Sequence, residues 1–557
     1  MAALFPASGM RQRAEESLRQ MERDSEVSKR GQEVIVRGHA VQPTTISLLI
    51  TPWINLRGRV TVYWEGVIKI DENGSIKRST NPPYQWLILE TKGFGPEFIR
   101  ALIQRAREEP PLALKVSSTS SWNPAELAST AMREGFKVTD SILGCLLEAH
   151  FSVFVPRASY LPETLEGLNH KQLKAYETLV RERVSLVQGL PGSGKSRLMT
   201  EIARKCFQKN LRVLLTAETN NACEVLCGKL VNAGIAPVWN RSKRAPPPKD
   251  ISLLKYSTDN IIRSGRWTRE EIIQKAPIVI ATTTKATTSS ICARTNHLLL
   301  IDEGGLIPAY RWPALRLIKT NALIICGDPA QNPPYKEAVG EFSILLSNHY
   351  HLTTVLTTQY RMPPSISSFS NDISYMGMMI DAREDPILPN SLYPECSHHV
   401  VFIDTPLGDC PSQKVYDSSI NYTQINTTLA LLKILERSYD LRNVQVISPY
   451  DAQVQILSVA MNPRFSRAPL PMTITRVQGH ESDIIVLNMV KSTGFPEDKR
   501  IVNVAASRAK TQLYIIGDHH SLRQIPFWQR TINKWGPPDR KIPYKHIFGR
   551  YNQAQRK

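Results

Sequence analysis

The chain lacks several features, and each absence narrows its chemistry. No CxxC pair and no paired cysteine–histidine spacing occurs, which argues against a zinc module. The eight cysteines, Cys145, Cys206, Cys223, Cys227, Cys292, Cys326, Cys396 and Cys410, are scattered, with Cys223 and Cys227 four apart. Several interrupt apolar runs, as reduced and buried thiols of an intracellular protein do. No apolar span approaches the ~20 residues of a membrane helix, and the start, MAALFPASGMRQRAEE, has no apolar core of signal-peptide length. The sequence therefore predicts a soluble, unsecreted protein of the cytoplasm or nucleus, with no membrane partner. Short-period repeats are also missing. Acidic residues are in the minority, 50 against 69 Lys and Arg, for a net charge of +19. A surplus of that size favours a polyanionic partner, nucleic acid before an anionic membrane.

What is present suffices for packed cores: 42% of the 557 residues are hydrophobic and 21% charged. At ~150 residues per domain this length accommodates three or four domains. Residues 1–33 read as a helical, largely solvated segment, with helix formers from 11 to 33. Residues 34–150 read as a β-barrel-like accessory domain, with strand-like runs EVIVRG, TISLLI, RVTVYWEGVIKI and QWLILET and helices near 96–108 and 124–135. Asn73-Gly74 between IKIDE and SIKRS predicts a hairpin. From about residue 155 strands alternate with helices. VSLV, RVLLTA, PIVIAT, LLLID and ALIICGD form one series, and VVFIDT, VQVISPY, MTITRV, DIIVLNMV and QLYIIGD a second. Runs like these suit parallel strands covered on both faces, so the fold class is α/β with two tandem sheets. The expected domains are 151–350, with a basic, proline-rich insertion at 230–275, and 351–520. A basic, aromatic segment, 521–557, follows.

GLPGSGKS, Gly189 to Ser196, follows the strand VSLV and opens a helix, the context a P-loop needs. Gly189, Gly192 and Gly194 let backbone N–H groups converge on phosphate oxygens, with Pro191 and Ser193 completing the loop. Lys195 is expected on the β- and γ-phosphates of ATP, and Ser196 on Mg2+. LLLIDE ends an apolar strand with two carboxylates, Asp302 for the Mg2+ shell and Glu303 for the attacking water.

GDPAQNPP (327–334), QYRM (359–362), SPYDAQ (448–453), VQGHESD (477–483) and NVAASRAK (503–510) then occur in that order. With the P-loop they resemble the motifs of superfamily 1 helicases, most closely the Upf/Senataxin-like group of superfamily 1B, over about residues 165–518. The resemblance implies two tandem RecA-like domains closing on ATP, with a β-rich accessory domain on a helical stalk ahead of them. It implies that Gln172 reads adenine, Gln331 senses the γ-phosphate, and Arg361 and Arg508 neutralise the transferred phosphoryl group. Tyr360 matches a base-stacking position, which a core tyrosine would fit as well, and Glu481 a glutamate beside the nucleotide. This chain departs from the pattern at Gly304, Gly305 and Leu306, where the group has Ala-x-Gln, and at Asn332 and Thr475. These departures spare the hydrolytic residues and touch those that couple hydrolysis to movement.

TAETNNACEVL (216–226) is similar to the group's TAPSNxAVD. Thr219 and Asn220 at its strand-to-helix turn suit phosphate binding and helix capping alike. Thr283, Thr473 and Arg476 occupy corresponding strand ends and complete a candidate nucleic-acid track. Residues 241–275 and 519–557 are both basic and carry aromatics, a composition that suits single strands or, for the second, docking on the neighbouring domain. The expected partner is a single strand, RNA slightly ahead of DNA, although phosphate and stacking contacts serve both. The expected function is an ATP-dependent helicase or translocase moving 5′ to 3′, which the resemblance implies. The alternative is an ATP-gated RNA-binding clamp or ribonucleoprotein remodeller with little unwinding.

Overall fold

A computed structural model of the protein describes residues 9–29, 32–42, 45–51, 60–64, 68–70, 74–78, 85–90, 113–118, 124–138, 141–148, 157–242, 245, 247–248, 250–265, 267–331, 333–334, 337, 339–386, 388, 398–415, 418–462, 465, 467–535 and 541–555, with only the backbone between 24 and 127. The helix expected at 96–108, and Asn73, Asn332 and Cys396, lie outside the described residues. Two compact units divide the chain, Glu15–Thr130 and the remainder.

Helix α1 (Gly9–Lys29) opens the described chain. The unit Glu15–Thr130 holds strands β1 (Gln32–Gln42), β2 (Thr45–Thr51), β3 (Val60–Trp64), β4 (Ile68–Ile70), β5 (Gly74–Arg78), β6 (Gln85–Glu90) and β7 (Ala113–Ser118). They form one sheet in the order β4-β3-β7-β1-β2-β6-β5, every pairing antiparallel. Among the described residues β4 pairs with β3, and β5 with β6 over five residue pairs; the turn expected at Asn73-Gly74 rests on Asn73, which lies outside them.

The other unit builds two parallel sheets in succession, two RecA-like domains. The first contains β8 (Val184–Gly189), β9 (Val213–Ala217), β10 (Val238–Asn240), β11 (Ile278–Thr282), β12 (Leu298–Asp302), β13 (Leu323–Gly327) and β14 (Thr353–Leu356), in the order β10-β11-β9-β12-β13-β8-β14. Alternate residues enter different cores. Val213, Leu215, Ile278, Ile280, Leu298 and Leu300 face one side, and Leu214, Val279, Leu299 and Ile301 the other. That two-sided burial explains why these strands read as unbroken apolar runs. The helices α2 (His170–Glu182), α3 (Lys195–Gln208) and α4 (Asn220–Asn232) cover the first of these faces.

A two-stranded parallel ladder, β15 (Thr358–Gln359) with β16 (Ile380–Asp381), flanks helix α5 (Pro364–Ser370). The second large sheet runs β21-β20-β22-β23-β17-β24, all parallel. Its strands are β17 (Val400–Asp404), β20 (Val444–Ser448), β21 (Met472–Thr473), β22 (Ser482–Asn488), β23 (Ala509–Gly517) and β24 (Lys541–Pro543), while β18 (Gln413–Val415) and β19 (Ser418–Ile420) pair separately. Helix α6 (Lys499–Ala506) precedes β23, and α7 (Pro526–Trp535) follows it.

Residues beyond 520, set apart in the sequence by composition, are built into this second domain. Strand β24 extends its sheet, and Phe527, Trp528 and Ile532 of α7 enter its core. Trp528 is fully buried, its ring 5.5 Å from that of Phe369, and its Nε1–H donates to the Pro496 carbonyl at 3.0 Å.

Candidate active site

Parallel strands put every loop that leaves their C-terminal ends on one edge of a sheet, the usual place for ligands in such folds. In the first domain Gly189 of β8, Asp302 of β12 and Gly327 of β13 end on that edge. The P-loop turns there because glycine allows it: Gly192 and Gly194 have φ of 73° and 82°. Gly194 caps α3, whose first N–H groups, free of helix partners, form a cradle for an anion. A Cβ on Gly194 would lie 2.5 Å from Gln172 Nε2, and one on Gly189 2.3 Å from Lys195 Cγ. Lys195 Nζ donates to the Gly189 carbonyl at 2.6 Å, while Pro191 is buried and Ser196 half-buried. The hydroxyl of Ser193, also buried, has no hydrogen-bond partner among the described residues. A cradle this close, with an unsatisfied buried hydroxyl in its wall, fits phosphate.

Gln172 is held from both ends. Its Nε2 donates to the Ser193 carbonyl at 3.1 Å, and its Oε1 accepts from Asn169 N–H at 3.0 Å in a capping box at the start of α2. Asn169 Nδ2 in turn donates to the Tyr360 hydroxyl at 2.8 Å. Tyr360 is 46% exposed, so the core position that its residue type equally allowed is not the one it takes. Its N–H donates to the Gly192 carbonyl at 3.0 Å, which ties QYRM to the P-loop.

Asp302 is buried, and burial first, then the charge of Glu303, raises its carboxyl above the ordinary range, while Lys195 counteracts this. Glu303 adopts φ 52°, a left-handed conformation that costs a non-glycine residue ~1–2 kcal/mol. Gln478 Nε2, from the second domain, donates to Glu303 Oε2 at 3.3 Å. The departure at Gly304 has a steric cause, since a Cβ there would lie 2.9 Å from Ile325 Cγ2 and 3.2 Å from the Phe342 ring. Leu306, at the coupling position, is half-buried.

Both arginines sit at the domain boundary. Arg361 Nε donates to Glu481 Oε2 at 2.8 Å and its NH1 to the Ser507 carbonyl at 2.9 Å. Lys510 pairs with the other oxygen of Glu481 at 2.9 Å. Burial would raise the Glu481 carboxyl, but Arg361 and Lys510 outweigh it and hold it at about 2. Arg508 follows α6 and is buried, and its NH2 donates to Gln331 Oε1 at 2.7 Å. Burial, then the nearby Arg361, lowers its guanidinium to about 10, so it stays charged at neutral pH. Gln331 is buried and donates through Nε2 to Asp328 Oδ2 at 2.7 Å.

The candidate track divides. Thr219 caps α4, accepting from Ala222 N–H at 3.1 Å, and Asn220 beside it is exposed. Thr473 ends β21, its hydroxyl 3.1 Å from that of the exposed Thr475, and Arg476 is exposed. Asn221 Nδ2 donates to the Arg476 carbonyl at 2.8 Å, so these stretches of the two domains adjoin. Thr283 stands apart. It is buried, and its hydroxyl is committed to the carboxylate of Glu218, which replaces the group's proline and needs donors.

Four residues enter the site with no assignment from the sequence: Asn169, Asp328, Tyr375 and Gln478. Asp328 and Gln478 lie inside quoted motifs and could have been found there. Asn169 is an ordinary capping residue, and Tyr375 carries no local signal. Among the described residues no group of three or more His, Cys, Asp and Glu side chains is arranged to hold a metal.

Two family models, each described as an AAA domain, match residues 167–375 and 339–520. The chain is 26% identical over 422 residues to the DNA replication ATP-dependent helicase/nuclease dna2 of Schizosaccharomyces pombe, covering 67% of this chain and 30% of that protein. It is 26% identical over 438 residues to Regulator of nonsense transcripts 1 of Dictyostelium discoideum, covering 67% and 32%. It is 24% identical over 426 residues to the DNA polymerase alpha-associated DNA helicase A of S. pombe, covering 64% of each. The matched part thus spans about a third of the first two relatives and under two thirds of the other. The ordered motifs, the paired parallel sheets and these relatives agree: the chain belongs to the superfamily 1 P-loop helicases, in the group of Regulator of nonsense transcripts 1 and Dna2.

Proposed function

We propose that the chain is an ATP-driven motor that moves 5′ to 3′ on a single strand and displaces what is paired with it. One observation carries this reading: Arg508 of the second domain reaches Gln331 beside the P-loop edge of the first. A group that meets the phosphoryl site only when two domains meet makes hydrolysis depend on their spacing. If each domain also holds the strand, that spacing becomes a step.

In this reading the α3 cradle and Lys195 bind the phosphates, and Gln172 and Tyr360 flank the base. Ser196 and Asp302 would hold Mg2+, which neutralises phosphate charge when bound. Glu303 orients and deprotonates the attacking water, and Arg361 and Arg508 stabilise charge on the transferred group. Thr219, Asn220, Thr473 and Arg476 hold the strand, and Thr283 acts through Glu218 behind them. The relatives' names include both DNA replication and transcripts, so either sugar is compatible with this track. Such a substrate fits the nucleus or cytoplasm. No helix among the described residues is long and apolar enough to cross a membrane.

The test is ATP turnover with and without single strands, followed by displacement from matched RNA and DNA duplexes bearing 5′ or 3′ overhangs. The reading expects stimulated turnover and unwinding from the 5′ overhang. Stimulated turnover with no displacement from any duplex would leave a remodeller, and no turnover would remove the motor altogether.

A further inference from the structure

Five buried polar side chains form one hydrogen-bonded network across the domain boundary, in the order Asn503, Tyr375, Asp328, Gln331 and Arg508. Asp328 and Gln331 come from the loop after β13 in the first domain. Tyr375 packs in the core of the second domain, and Asn503 and Arg508 flank the end of α6. All five are 3% exposed or less. Tyr375 has a single O–H, which it donates to Asp328 Oδ2 at 2.7 Å, and its oxygen accepts from Asn503 Nδ2 at 2.8 Å. Asn503 Nδ2 also reaches the Ala330 carbonyl at 3.0 Å. On the other side Asp328 Oδ2 takes Gln331 Nε2 at 2.7 Å. That bond fixes the Gln331 amide with Oε1 toward Arg508 NH2, also at 2.7 Å.

The chemistry makes both arms converge on Asp328, which only accepts. Arg508 donates to Gln331 and Asn503 to Tyr375, and the glutamine and the tyrosine each donate in turn to the carboxylate. If Tyr375 is removed from the network, Asp328 loses a donor and Asn503 an acceptor, both where water is excluded. The carboxylate that fixes the Gln331 amide is then held, besides Gln331 itself, by the Ala330 N–H on its other oxygen, at 3.1 Å, and loses the anchor that ties it to the second domain. Tyr375 closes a π-type turn, Asn371–Tyr375, which continues α5, and Met376 beyond it has φ 49°. Turns of that type within helices recur at functional sites.

We propose that Tyr375 and Asn503 are positioning residues that set Arg508 against Gln331, so that the second domain delivers its arginine only when the loop after β13 is in register. The proposal rests on the ATPase reading above. Tyr375 touches no reacting atom and acts through Arg508.

The experiment is a double-mutant cycle on steady-state ATP turnover in the full chain, with single strand saturating. Tyr375→Phe keeps the ring's packing and should lower kcat by roughly 10-fold or more, as loss of a buried hydrogen bond in a coupled set does, with KM for ATP nearly unchanged. Added to Arg508→Ala, it should cause no further loss, because the residue it serves is gone. Equal fold-losses in both backgrounds, or a rise in KM with kcat unchanged, would overturn the proposal and leave Tyr375 a packing residue. Should Tyr375→Phe not fold, Asn503→Ala reads the same chain from its other side. Parental turnover is the separate check on the ATPase reading. If it is absent, capture of ADP with aluminium fluoride replaces kcat as the readout. Weaker capture by Tyr375→Phe than by the parent then supports the proposal, and equal capture, or none by either, overturns it.

Discussion

Arg508 and Gln331, 177 residues apart in the sequence, are joined by a 2.7 Å hydrogen bond in a buried place between two domains. Arg508→Ala should bind ATP and single strands almost as the parent does. Its turnover should fall by about 10^3 to 10^5-fold, the usual loss when such an arginine is removed. Gln331→Ala should keep basal turnover better and lose its stimulation by nucleic acid. Turnover with and without a single strand checks both, and near-parental rates in Arg508→Ala would mean that this arginine never meets the phosphates.

The P-loop and the carboxylate pair separate binding from hydrolysis. Lys195→Ala should abolish turnover by weakening phosphate capture, seen as lost binding of a fluorescent ATP analogue. Glu303→Gln keeps the shape of the site and should bind that analogue normally while hydrolysis stops. Parental hydrolysis by Glu303→Gln would reassign the base.

Glu481 gives the boundary a pH dependence. Its carboxyl ordinarily titrates near 4.5 and is held at about 2 in the fold, where Arg361 and Lys510 overcome the effect of burial. A depressed carboxylate stabilises the fold above its unfolded value and loses that contribution as pH falls toward its folded value. The Tm gap between parent and Glu481→Gln should therefore be constant above about pH 5 and close between about 4.5 and 2. The gap should be modest, since the side chain is 41% exposed and solvent screens the pair. A gap unchanged at pH 3 would mean that the glutamate is not held by these cations.

The segment beyond 520 is predicted to be structural. Removing a fully buried aromatic commonly costs ~3–5 kcal/mol, and Trp528→Ala also leaves the Pro496 carbonyl without its donor. Urea unfolding should show that loss, and deletion of 521–557 should unfold the second domain. A truncated chain that folds and loses only affinity for nucleic acid would restore the segment to the track.

Much of this was legible because two periodicities and one spacing are local. β9, β11 and β12 read as strands since both their faces are apolar, and Gly189 to Ser196 reads as a phosphate loop since its glycines, lysine and serine are contiguous. Arg361 and Arg508 were found by the resemblance of QYRM and NVAASRAK, since nothing nearby in sequence marks either as facing a nucleotide. Tyr375 was invisible because its partners lie 47 and 128 residues away. The composition of the segment around Trp528 suits a nucleic-acid contact and docking on the neighbouring domain alike, and the fold docks its aromatic face. Phe527, Trp528, Thr531 and Ile532 point inward while Arg530 stays exposed. Thr283 was read from its strand-end position, and the half-buried partner that claims its hydroxyl, Glu218, is 65 residues earlier.

The left-handed backbone at Glu303 carries a consequence for stability. At φ 52° the residue that sits most comfortably is glycine. Glu303→Gly relieves that conformation and also loosens the unfolded chain. Glu303→Asn, which tolerates the same geometry, keeps a side chain and should melt at a higher temperature than the parent. Glutamate at this position is thus a cost to the fold, which only its proposed role in turnover would offset.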